Sequence, residues 1–536
     1  MLQLRLAATG RCYSHRTTTK TLTTYRQRLH EFSTIPNKHY DVTIVGGGAV
    51  GSVLASLLSE HVPSLKVALM DARTPKSMDD ALNINGSTQV IPSPRAYALS
   101  PKSLGLLGHH VLEKLSSSGR IAYYDSMQVW ESDGPAILHF THDDLEVTHE
   151  IKPKTTSDIN ILGAVVEDEP MVSCLWDKLQ SNGTVDLLSP ASIKRITPPD
   201  SSDDTSKVEI TYGSNDGGAD DAETITTNLL IAADGGNSFV RRSLGTFPTV
   251  SFSYGRQAVT CTVEIDASMK KIAFQRFQPN GPIALLPVWD ENDETRTGNC
   301  GKKTYANIVW STTPEEAKML MNLSEDEFVR KMNGLLQSGP TNAPPLVSDE
   351  FKKLLPRPLT DAFNGLEMLS RSVNNGLTLS GMTERRRGFN IPPVIAGVVG
   401  RRFTFDLNLM HAKNYVGSRV ALVGDAAHTI HPMAGQGLNL GMGDAQCLVE
   451  NLKQAVESGM GIDGSAGLEY ALQQYESIRQ REVVATMGGI QFLHSVFGTT
   501  FSPAVHARSV GMNIINSAGP LRKRLVQVAT GAEGIS

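Results

Sequence analysis

Residues 40–51 read Tyr40-Asp41-Val42-Thr43-Ile44-Val45-Gly46-Gly47-Gly48-Ala49-Val50-Gly51. The apolar run from Tyr40 to Val45 predicts a short strand, and Gly46 to Gly51 form a G-x-G-x-x-G turn. Val53 to Leu58 then begin a helix, and Val67 to Met70 predict a second strand. Strand, glycine turn, helix and strand make a βαβ unit on a parallel sheet. Each glycine has its own reason: Gly46 for the tight turn, Gly48 for close approach of a pyrophosphate, and Gly51 for helix–strand packing. Unpaired N–H groups and the positive dipole end of the helix would face the phosphates. Asp71 ends the second strand, twenty residues past Gly51, where an acid can accept hydrogen bonds from ribose hydroxyls. The unit predicts a dinucleotide and does not by itself separate FAD from NAD.

Two more apolar strands, Leu229 to Ala233 and Arg419 to Val423, lie far along the chain, and each runs straight into Gly and Asp. The first leads to Asp234-Gly235-Gly236-Asn237-Ser238-Phe239-Val240-Arg241. On its own this reads as a turn whose acid caps the next helix. The second leads to Gly424-Asp425-Ala426-Ala427-His428 and on through His431-Pro432-Met433-Ala434-Gly435-Gln436-Gly437-Leu438-Asn439. There the strand delivers a carboxylate suited to polyol hydroxyls. The glycine loop brings bare backbone N–H groups to a helix start, suited to an anionic oxygen or ring nitrogen. His428 and His431 have no third ligand at metal-like spacing, so a metal site is not expected.

Between these pieces the pattern changes. Met127 to Trp130, Ile137 to Phe140, Ala258 to Val263, Ile283 to Val288 and Tyr305 to Trp310 follow one another without long helices, which predicts an antiparallel sheet. Residues 198–223 are polar and read as solvated loops around a short strand, Lys207 to Tyr212. The spacing of Leu438, Met442, Leu448 and Leu452, then of Leu472, Tyr475 and Ile478, predicts helices over 437–493.

The fold class is therefore α/β with an α+β second unit: a discontinuous Rossmann-like domain, an interleaved antiparallel-sheet domain and C-terminal helices. The boundaries fall at 38–120, 161–250 (with the polar insert 198–223) and 401–495 for the nucleotide domain. The antiparallel unit takes 121–160 and 251–400, and 496–536 form a C-terminal helical segment.

Composition narrows the class. The 536 residues carry 50 basic and 55 acidic side chains. Residues 1–36 hold Arg5, Arg11, Arg16, Lys20, Arg26 and Arg28 against one acid, Glu31. Leu22, Tyr25, Leu29 and Phe32 share a helical face there. A basic, hydroxyl-rich, acid-poor amphipathic start without a long apolar run predicts a mitochondrial transit segment, cleaved between about 30 and 40. The remainder keeps 44 basic and 54 acidic residues, a charge near −10, which argues against a nucleic-acid partner. No run reaches the ~18–20 apolar residues of a membrane span. The five cysteines show no disulfide or zinc spacing.

Taken in order, the three glycine–aspartate segments resemble those of the flavoprotein aromatic hydroxylases with the p-hydroxybenzoate hydroxylase fold. His431-Pro432 and Ala434-Gly435-Gln436-Gly437-Leu438-Asn439-Leu440-Gly441 look most like the ubiquinone-biosynthesis branch. Further matching segments are Arg95-Ala96-Tyr97-Ala98-Leu99, Gln275-Arg276-Phe277, Gly281 to Pro287 and Ile308-Val309-Trp310-Ser311. The resemblance runs from about residue 38 to the end, apart from 198–223. It implies FAD held by Gly46, Gly48 and Gly51 at the pyrophosphate, with Arg95 near it. Asp71 would meet the adenosine ribose and Asp425 the ribityl chain. Pro432 and Gly435, Gln436, Gly437, Leu438 and Asn439 would line the flavin ring, with Asp234 and Gly235 in support.

The resemblance also implies C5 hydroxylation of a polyprenylated 4-hydroxybenzoate-type phenol by O2 through a flavin hydroperoxide, on the matrix side of the inner membrane. A ferredoxin-type donor would supply electrons, and other ubiquinone-biosynthesis proteins would be neighbours. No side chain is nominated as catalytic and no metal is expected. One departure stands out: Phe405-Asp406-Leu407 replaces the Phe-Pro-Leu common in relatives, which puts local backbone shape in question. At the C-terminus, apolar Val510, Met512, Ile514, Leu521, Leu525 and Val528 beside Arg522, Lys523 and Arg524 could rest on a bilayer or pack on the protein. Other readings compete: a nicotinamide dehydrogenase, another FAD monooxygenase or epoxidase of a lipophilic substrate, and a non-enzymatic prenyl-binding protein such as the Rab escort and dissociation-inhibitor family.

Overall fold

In the computed structural model, residues 38–82, 91–145, 161–200, 206–214, 222–289, 303–379, 388–431 and 435–530 are described. Residues 1–36, expected to direct import, Pro432 and the centres of the polar loops lie outside them.

The strand Lys38–Val45 sits inside an eight-stranded sheet. Glu223–Ala232 and Val67–Met70 flank it, both parallel to it, with Val420–Leu422 and Val185–Leu188 next on either side, also parallel. Helices cover the sheet, so the strands are continuous apolar runs rather than alternating ones. Val42, Ile44, Leu69 and Leu229 through Ala232 are all fully buried. The strand ends at Met70 as expected, and the helix runs Ala49–His61. The polar insert hangs on a ribbon: Ser192–Thr197 pairs with Val208–Gly213, which pairs with Glu223–Ala232. A small three-stranded sheet of Ala96–Leu99, Gly163–Glu167 and Ile121–Tyr124 was not foreseen. Its strands are four or five residues long, too short for periodicity to mark them.

The second large sheet also has eight strands. It includes all five strands expected of the antiparallel unit, and Ile283–Val288 has the expected ends. The ladder is antiparallel except where Ile272–Phe277 runs parallel to Ser126–Glu131. Two long strands, Thr249–Ile265 and Ile395–Ala412, form its spine. One face buries Ile308 and Trp310 with Phe328, Met332 and Leu336 of the helix Glu325–Leu336. The opposite face meets the segment that leads into Ala96–Leu99 of the three-stranded sheet. Thr260 and Thr262 hydroxyls on it donate to the carbonyls of Pro94 (3.2 Å) and Pro92 (2.9 Å).

The C-terminal helices Ser502–Ser517 and Gly519–Thr530 dock on this second unit through buried ion pairs. Arg508 Nε meets Glu131 Oε2 at 2.6 Å, and Arg522 Nε meets Asp144 Oδ1 at 2.8 Å. Arg522 is therefore part of the interior rather than of a basic surface. Arg524 is exposed and Lys523 half-buried, beside exposed Leu521 and Leu525. No described helix is long and apolar enough to cross a membrane.

Candidate functional site

The three glycine–aspartate segments meet at one point, and would-be side chains at their glycines show how closely. A Cβ on Gly46, whose φ is +107°, would lie 2.3 Å from the Ala233 carbonyl oxygen, just before Asp234. A Cβ on Gly51 would lie 1.8 Å from Gly46 O and 3.2 Å from Ala233 Cβ. On the far side, a Cβ on Gly441 would lie 2.8 Å from Val50 Cγ2 and 3.1 Å from Gly424 Cα. Gly48 differs. It precedes the helix in extended conformation with no side-chain cap, and a Cβ there would meet no protein atom within 4 Å. The helix start therefore faces open space with its first N–H groups uncapped by a side chain, as a phosphate cradle requires.

Asp71 braces this turn. Its carboxylate accepts from Gly47 N at 2.8 Å and from Arg73 N at 2.8 Å. Trp176, which the sequence did not single out, closes the other side: its Nε1 donates to Gly47 O at 2.8 Å.

Asp234 does what a turn acid does. Its Oδ2 accepts from Phe239 N (2.6 Å) and Val240 N (3.1 Å), capping the helix Phe239–Leu244. Its other oxygen is buried with no partner among the described residues. Gly235 adopts φ +83°. Arg241 joins the second segment to the third, donating to Ala426 O (2.5 Å) and Gly236 O (2.7 Å).

Asp425 keeps open surface at the cleft. The surrounding protein desolvates its carboxyl and raises its pKa above the ordinary value, while His428 and Arg95 pull the other way. Arg95 therefore lies within electrostatic reach of Asp425. It also holds Tyr97 Oη (3.1 Å) and Asp168 (3.2 Å). The loop that carries Asp425 is held from behind by Asp444, which the sequence reading missed. This fully buried carboxylate accepts from Gly424 N (2.8 Å) and Arg479 Nε (2.7 Å), and its Oδ2 lies 2.6 Å from His428 Nε2. Burial opposes its charge, but His428 and Arg479 outweigh that and hold its pKa below the usual carboxylate value. No cluster of three or more metal-binding side chains occurs among the described residues.

Gly435 takes φ +62° and starts the helix Gln436–Glu457. Asn439 braces its first turn: Nδ2 donates to Ala98 O (2.9 Å) and Gly435 O (3.0 Å), and Oδ1 accepts from Ser100 N (3.0 Å). Gly437 and the half-buried Leu438 lie in this turn. The Asp406 departure leaves the ladder regular. Asp406 pairs with Gln257, whose Nε2 donates to Asp406 Oδ1 at 2.8 Å.

Just before Pro432, the buried His431 ring sits edge-on to Tyr254 (4.9 Å between centroids), and His494 lies 6.0 Å away. Burial first, then His494 and Arg256, push the His431 pKa from 6.5 down to about 4. The folded pKa is depressed, so the unfolded chain binds the extra proton. Stability is whole above about 6.5 and is lost as pH falls toward about 4, at ~1.4 kcal/mol per unit. His431→Asn should flatten that acid limb. Melting temperatures of both proteins at about pH 7 and about pH 5 check it, and an equally steep fall in the variant would refute it.

Residues 392–487 match the family model described as "FAD binding domain". The chain is 31% identical over 92% of its length to "Ubiquinone biosynthesis monooxygenase COQ6, mitochondrial" of Drosophila melanogaster, covering 90% of that protein. It is likewise 31% identical over 92% of its length to the Homo sapiens protein of the same name, covering 92% of it. Among solved structures, p-nitrophenol 4-monooxygenase PnpA from Pseudomonas putida DLL-E4 superposes with a TM-score of 0.57, at 17% identity, over 92% of this chain and 100% of that one. The probable FAD-dependent monooxygenase PqsL from Pseudomonas aeruginosa gives 0.54 at 18%, over 89% and 99%. These two share the fold. With the three converging glycine–aspartate segments and a relative matched along nine-tenths of both chains, this protein belongs to the ubiquinone-biosynthesis monooxygenase family and is an FAD-dependent monooxygenase.

Proposed function

We propose that the protein hydroxylates C5 of a polyprenylated 4-hydroxybenzoate-type ring, taking one oxygen atom from O2. The observation that carries this reading is the meeting of the three segments under an apolar sheet face. Opposed residues in the ladder share a face, and the pairs Thr260–Phe403, Ala258–Phe405 and Arg256–Leu407 place Phe403, Phe405 and Leu407 on the side of Thr260, whose hydroxyl reaches Pro94. Phe403 and Phe405 are about half exposed there, a greasy wall suited to a prenylated ring.

The residues present fit FAD: the Gly48 cradle is open and a buried Asp234 oxygen awaits a donor. Gly46, Gly48 and Gly51 would admit the pyrophosphate, with Arg95 supplying charge. Asp71 would serve the ribose through lone pairs its turn bonds leave. Asp425 would bond the ribityl hydroxyls. Pro432 and Gly435 through Asn439 would lie along the ring, with Asp234 and Gly235 behind. When bound, FAD supplies electron transfer and O2 activation. The apolar wall excludes water and orients the ring.

A ferredoxin-type donor, other ubiquinone-biosynthesis proteins as neighbours, and peripheral attachment on the matrix side of the inner membrane belong to the same reading. Exposed Leu521 and Leu525 beside Lys523 and Arg524 support the attachment.

The purified protein should be yellow, with bands near about 370 and 450 nm and non-covalent FAD released on denaturation. With reductant, O2 and a prenylated 4-hydroxybenzoate it should form a ring-hydroxylated product carrying one oxygen atom from labelled O2. A colourless protein that also fails to take up FAD would overturn the proposal.

A further inference from the structure

We infer that Arg256 is the residue that recognises the ring carboxylate of the prenylated hydroxybenzoate proposed above. The inference rests on the hydroxylase reading above and specifies its substrate.

Arg256 lies opposite Leu407 in the ladder, on the same face as Phe403 and Phe405. The register shifts between Ser253 and Arg256, with Gly255 at φ +60°. Across this bulge, Tyr254 meets His431 and His494, and His431 precedes the loop assigned to the flavin ring. Arg256 therefore stands on the apolar face within electrostatic reach of His431 and His494.

Arg256 is half-buried as a residue, and its guanidinium has no hydrogen-bond or ion-pair partner among the described residues. Buried arginines elsewhere find protein partners: Arg479 in Asp444, Arg508 in Glu131, Arg522 in Asp144, and Arg241 and Arg276 in the carbonyls of Ala426 and Leu335, although Arg276 keeps a buried Nε with no partner among the described residues. Nor is there an anion in the ring cluster, because Tyr254 is held in its neutral form by burial and both histidines have lowered pKa values. A partly desolvated cation without a counter-ion favours an anionic ligand, and a planar guanidinium suits a carboxylate held by two hydrogen bonds. The neighbouring Phe403 and Phe405 suit an apolar tail.

The test uses the FAD-loaded full chain. Binding is read from perturbation of the flavin spectrum by a short-tailed 3-prenyl-4-hydroxybenzoate and by the 2-prenylphenol that differs only in lacking the carboxylate. The wild type should bind the acid at least about tenfold more tightly, the effect expected of a hydrogen bond to a charged group. Arg256→Gln should remove that preference and leave phenol binding within about twofold, while Arg256→Lys should keep part of it. Equal affinity of the wild type for both ligands overturns the inference with no variant needed. Equal weakening of both ligands in Arg256→Gln, an unchanged preference, or loss of FAD from that variant overturns it as well, the last by placing Arg256 at the cofactor. If neither ligand perturbs the flavin, the hydroxylase reading itself fails and this inference with it.

Discussion

Asp444→Ala should cost about 3–5 kcal/mol of stability, the range for removing one member of a buried ion pair, and should yield protein without bound flavin. Asp444 is fully buried and accepts from Gly424 N and Arg479 Nε, with His428 Nε2 at its other side. Deleting it strands the Arg479 charge in the interior, since Glu482 remains only at the half-buried edge. It also frees Gly424, the residue that positions Asp425. Arg479→Gln should be milder, because Asp444 keeps Gly424 and His428. The double variant should be less damaged than the sum of the two single changes, since the stranded charge is then gone. Unfolding curves and flavin content measure all three. An Asp444→Ala protein within ~1 kcal/mol of wild type, still yellow, would remove Asp444 from the centre of this scheme.

Gly51→Ala and Gly48→Ala should fail in different ways. At Gly51 a methyl would lie 1.8 Å from Gly46 O, so the helix must withdraw from the strand. Backbone atoms are the obstacle and no rotamer relieves it. The expected cost is at the upper end of overpacking, about 3 kcal/mol or more, with FAD lost because the cradle opens. At Gly48 a methyl meets no protein atom within 4 Å, and the backbone is in an extended region open to alanine. The flavin-free Gly48→Ala protein should therefore melt like the flavin-free wild type, while binding FAD at least about tenfold more weakly because the methyl occupies ligand space. Unaltered FAD affinity in Gly48→Ala would mean the pyrophosphate lies elsewhere. Unaltered stability in Gly51→Ala would mean the helix and strand pack less closely than described.

Part of this site was open to reading because its physics is local. Gly46, Gly48 and Gly51 lie between an apolar strand and an apolar helix, and short-range sterics dictate both the turn and the uncapped helix start. The abrupt passage from an apolar run into Gly-Asp at 234–235 and 424–425 was visible for the same reason. Asp444 gave no such sign. It lies mid-helix among Met442, Ala445 and Leu448, at a spacing equally suited to a solvated face, and its partner Arg479 is 35 residues away. Asn439 was visible as a loop residue, but its bonds to Ala98 and Ser100, some 340 positions off, were not. Arg522 stood in the sequence as one of three adjacent basic residues, with both a bilayer and the protein itself open as partners, and it pairs in the interior with Asp144. A helical spacing of charges does not reveal which of them a distant carboxylate will draw inside.

The sequence by itself determined the parallel and antiparallel sheet types, the βαβ unit and the cofactor class, because period, glycine position and strand-end acids act through contacts a few residues apart. The tertiary structure alone decided which carboxylates serve the ligand and which serve the scaffold. It also decided which arginines are neutralised and that Arg256, on the apolar face, has no partner among the described residues. Those outcomes depend on desolvation and pairing between groups hundreds of residues apart, and the energy of a charge is settled only when the fold fixes what surrounds it.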